Sequence, residues 1–65
     1  MLYLLNVYTP TLEGEEWVDD NVDIPCGWYS DKRMFDFLCD GHYKDEFINK
    51  VEESGLDITI TVADE

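Results

Sequence analysis

Positive charge is what this chain has least of. Four Lys and Arg stand against sixteen Asp and Glu, a formal net charge of -12, and residues 1–31 contain no base. A chain so poor in cations is not expected to bind nucleic acid or an anionic membrane surface directly. No apolar run approaches the ~20 residues of a membrane-spanning helix. There is no glycine-rich phosphate loop. Met1–Val7 is too short for a signal-peptide core and has no basic leader, so it reads as a strand. Two cysteines without a secretory signal point to free thiols and a cytoplasmic protein.

Metal and catalytic groups are equally scarce. Cys39-x-x-His42 with Cys26 upstream supplies three N/S ligands where structural zinc takes four. Asp19-x-Asn21-x-Asp23 opens like a calcium loop, but Ile24 and Ser30 stand where that loop needs Gly and Glu. His42 is the single histidine, and no carboxylate is marked by spacing to orient it. The expectation is a protein without metal, cofactor or catalytic residues: a binding protein rather than an enzyme.

Large side chains are plentiful. An apolar fraction of 45% and nine aromatics argue for folding despite the charge. Sixty-five residues make one domain, 1–65, near the lower limit for a chain that folds unaided. LYLLNVY at 2–8 has β-formers on both faces, as a central strand would. Residues 11–16, with Gly14, read as a hairpin loop, and Trp17–Ile24 as an acidic edge strand. Ser30 reads as an N-cap, with Met34, Phe35 and Leu38 striping a helix over 31–39. Gly41 breaks it, a second helix runs over 43–54, and Gly55 caps that helix. Leu56–Val62 alternates as the last strand. The predicted fold is α+β: a small antiparallel three-stranded sheet, β-β-α-β in order 2-1-3. One bent helix or two short ones cover one face.

The acids divide into two sets. Lys32 with Asp36, Asp40 with Lys44 and Glu46 with Lys50 have the spacing of helical ion pairs. Glu13, Glu15, Glu16, Asp19, Asp20 and Asp23 have no base among them. Edge protection and solubility are one use for such a run; an electrostatic face for a basic partner is another. By strand parity Trp17 is the exposed aromatic anchor beside it. A 65-residue fold has a diameter of roughly 28 Å, a length over which duplex DNA carries about 16 phosphates. The carboxylate count matches that number.

Tyr3–Val7, Gly27-Trp28-Tyr29-Ser30 and Ile58–Val62 give a layout that resembles small β-β-α-β proteins of bacteriophages. In size it is similar to the small phage inhibitors of bacterial RNA polymerase, and in acidity to phage DNA mimics. The resemblance implies host-directed inhibition and carries over no site residue. The expected function is occupation of a basic, nucleic-acid-binding surface of a host protein. Its rival is an acidic module, such as a polymerase regulator, antitoxin or adaptor, that binds away from any nucleic-acid channel.

Overall fold

A computed structural model describes residues 1–64. The elements are β1 (Leu2–Tyr8), α1 (Leu12–Asn21), β2 (Gly27–Tyr29), β3 (Met34–Asp40), α2 (Gly41–Ser54) and β4 (Thr59–Asp64). The fold is α+β, with a four-stranded antiparallel sheet in the order β2-β3-β1-β4. β1 is central, as its two apolar faces predict.

The sheet has four strands, not three: the stretch expected to be a helix at 31–39 is largely β3 and Gly27–Tyr29 adds β2, while the strand expected at 17–24 is lost to α1. MFDFLCD satisfies two periods at once. Met34, Phe35 and Leu38 fit a helix, but Phe35, Phe37 and Cys39 fit a strand face, and all three are buried. The strand reading accounts for Phe37, which the helical stripe leaves out. Ser30 is therefore no N-cap; it lies in the turn at 30–33 that joins β2 to β3.

The predicted hairpin loop and edge strand at 11–24 are instead mostly α1. Thr11 Oγ1 accepts the Gly14 N–H at 3.1 Å and caps the helix. Gly14 is there for close packing, not for a turn: a Cβ on it would lie 3.3 Å from Ile58 Cγ1. Val18, one turn further on, is fully buried. The partner on the far side of β1 from β4 is consequently β3, not residues 17–24.

Asp40 caps α2 by accepting the Tyr43 N–H at 2.8 Å, so Gly41 opens that helix rather than breaking one. Gly55 ends it with φ 70, the left-handed conformation that favours glycine. Both helices lie on the same side of the sheet. Val18, Phe47 and Val51 meet Leu5, Val7, Phe35, Phe37 and Cys39 in one core. The other side of the sheet is bare.

None of the three expected helical ion pairs forms among the described residues. Lys44 pairs with its neighbour Asp45 at 2.9 Å, and Glu46 with His42 at 3.0 Å. Lys32 and Asp36 are in a turn and a strand, where helical spacing has no meaning.

Candidate functional site

Helix α1 gathers the acids of the second set on one element. Glu13, Glu16, Asp19 and Asp20 are exposed on it; Glu15 is half-buried, and Asp23 lies just past its end. Residues 13–20 rise about 10.5 Å at 1.5 Å each. Five carboxylates over that rise give one per about 2 Å, against one per about 1.7 Å of duplex axis. One of the five is partly neutralised, because Arg33 Nη2 stands 3.6 Å from Glu15 Oε2. That base comes from another part of the chain, so the run is free of bases in sequence but not in space. Asp23 is also engaged, accepting the Tyr43 hydroxyl at 3.0 Å. That bond, after burial, contributes to holding the Tyr43 phenol above its ordinary pKa.

Trp17 is not the exposed ring that strand parity predicts. A helix places it on the inner side, half-buried, with its ring centroid 6.0 Å from that of Phe47. The aromatic beside the acids is Trp28 on β2. Its ring lies 4.5 Å from that of Phe35 and is 37% exposed. Glu15, Glu16, Asp19, Trp28 and Phe35 together line a groove of about 290 Å³ between α1 and the sheet. A shallow apolar floor walled by carboxylates suits a cationic side chain with an apolar stem, held by charge and by the ring face. Trp28 was legible only as a large apolar residue. The period-two parity of β2 and β3, once seen, puts it opposite Phe35.

Cys26 sits nearby and is exposed. Desolvation pushes its thiol pKa up, and the charges of Asp19 and Asp36 push it further. Cys39 is buried, and its thiol is raised by desolvation and by Asp40. Among the described residues no group of three or more His, Cys, Asp or Glu could hold a metal ion, and no helix is long and apolar enough to cross a membrane.

No protein-family model matches the chain, and no curated protein or solved structure is significantly similar to it.

Proposed function

We propose that the chain is an acidic inhibitor that occupies a basic, nucleic-acid-binding surface of a host protein, presenting carboxylates where phosphates would lie. The observation that carries this reading is the placement of acids at the wrong ends of helices. Asp19 and Asp20 stand in the last turn of α1, and Glu52 and Glu53 in the last turn of α2; neither turn has a base. The negative end of a helix dipole disfavours a carboxylate there by about 0.3–1 kcal/mol each. Charge needed only for solubility could sit at no such cost elsewhere on the surface. Local rules tend to be broken where function demands it.

Size supports the same reading. The longest extent of the fold is 31 Å, a length of duplex that carries about 18 phosphates. The radius of gyration, 10.8 Å, is that of a compact body. An inhibitor of this kind fits a phage-encoded protein acting in the host cytoplasm, with no catalytic step of its own.

The test is competition. Immobilised chain captures its target from bacterial lysate, and a labelled duplex then competes for the purified target. The chain should displace the duplex, and its affinity should fall at least tenfold between about 50 and 200 mM salt. A ternary complex, with duplex and chain bound together, would instead support the module that binds away from the channel.

A further inference from the structure

The groove between α1 and the sheet has two unlike walls, and together they select one occupant. On the helix, Glu15 and Asp19 are four residues apart and Glu16 and Asp19 three, so the three carboxylates share a face. Arg33 already holds Glu15 at 3.6 Å. Glu16 and Asp19 are exposed and make no ion pair among the described residues. On the sheet, Trp28 is pinned against Phe35 at 4.5 Å and still 37% exposed. The volume of about 290 Å³ lies at the bottom of the range for small-molecule sites, roughly 300–1,000 Å³. It suits one long side chain rather than a larger ligand.

We propose that this groove seats one arginine side chain of the partner protein, its guanidinium stacked on Trp28 and donating to Glu16 and Asp19. The source of that arginine, a basic nucleic-acid-binding surface, rests on the proposed function; the preference for arginine rests on the groove alone. Carboxylates by themselves would take any cation. The ring changes the order. A lysine ammonium is a compact, strongly hydrated charge that must give up water to reach an apolar floor. A guanidinium is planar and weakly hydrated, so it can stack on an aromatic face while its edge donates in a fork. Its five donors reach two carboxylates from one position over the ring. A neutral planar group of the same shape satisfies the ring and leaves both charges unpaired.

Arginines that contact phosphates are what a duplex-binding surface presents. The groove thus adds a fixed point to the diffuse attraction of α1: the helix steers, and the groove holds.

Titration of the intact, nitrogen-15-labelled chain with N-acetylarginine amide, read by NMR, tests this. The two tryptophans give two indole N–H signals. That of Trp28 should shift and saturate with a midpoint on the order of millimolar, fitting for one side chain. That of half-buried Trp17 should stay in place. N-acetyllysine amide should bind at least about threefold more weakly, and neutral N-acetylcitrulline amide should give no saturable shift. Glu16→Gln with Asp19→Asn should weaken arginine binding about tenfold. Asp45→Asn with Glu53→Gln removes two exposed charges of α2 and should stay within about twofold of the parent. Trp28→Leu, read at the Glu16 and Asp19 amides, should lose the preference for arginine over lysine. Should that variant not fold, the Glu16 and Asp19 substitutions decide alone. Equal binding of arginine and lysine, parallel shifts of both indoles, a shift that never saturates, or indifference to the Glu16 and Asp19 substitutions would overturn the proposal. Arginine binding by a chain that fails to displace duplex from its target keeps the groove and removes the mimicry. The reverse result removes only the groove.

Discussion

Thr9 and Arg33 hold each other by three hydrogen bonds across the end of the β1–β3 ladder. The Thr9 N–H and hydroxyl both donate to the Arg33 carbonyl, at 2.9 and 3.1 Å, and Arg33 Nε donates to the Thr9 carbonyl at 3.0 Å. Thr9 is wholly buried, and Arg33 has φ 54, a left-handed backbone uncommon outside glycine and asparagine. The same guanidinium reaches Glu15, so one side chain joins the β2–β3 turn to the acidic helix. Thr9→Val removes one of these bonds and should cost about 1 kcal/mol; Arg33→Ala should cost about 1–2 kcal/mol. Urea denaturation of each variant measures both.

Helix capping distinguishes this fold from one with a helix at residues 31–39. Asp40→Ala should lower stability by about 1 kcal/mol, because the Tyr43 N–H loses its acceptor. Ser30→Ala, in a turn, should stay within about 0.5 kcal/mol of the parent. Thermal melts of the pair give the answer.

The Cys26 thiol tests how α1 lies against β2. Although exposed, it should be alkylated at neutral pH more slowly than a free cysteine, since its raised pKa leaves less thiolate. Asp19→Asn removes one of the charges that raise it and should speed the reaction. Buried Cys39 should react only after denaturation. Timed alkylation read by mass spectrometry follows both thiols.

Relief of the α1 C-terminus should stabilise the monomer. Asp19→Asn with Asp20→Asn should add about 0.5–1.5 kcal/mol at low salt, and the gain should shrink as salt screens the dipole. Chemical denaturation at two salt concentrations reads the change and its salt dependence.

The parts of the fold that were legible in the sequence obey one pattern only. β1 is apolar on both faces, α2 ends at a glycine that adopts a left-handed φ, and the last strand alternates, although it runs over Thr59–Asp64 rather than 56–62. The misread stretches obey two. Val18, Val22 and Ile24 alternate like a strand, yet Gly14 and Val18 lie one helical turn apart and are the buried positions. Residues 34–40 fit a helical stripe until Phe37 is counted. The turn before them uses Arg33 where a turn rule looks for glycine, so nothing local marks it. The acidic run was legible as composition. Its neighbours Trp28 and Arg33 were not, since only the tertiary fold brings them to α1.

Association kinetics of two charge-matched variants with the captured target test the central claim most directly. One carries amides at Glu13, Glu16, Asp19 and Asp20 on α1. The other removes the same four charges at Asp31, Asp45, Glu46 and Asp57, which are also exposed but lie off that helix. If α1 is the binding face, the first variant should associate about tenfold or more slowly and lose most of its salt dependence, because steering acts on the on-rate. The second should remain within about twofold of the parent. Equal slowing by both would mean that net charge alone matters, and greater slowing by the second would place the interface elsewhere; either result contradicts the account.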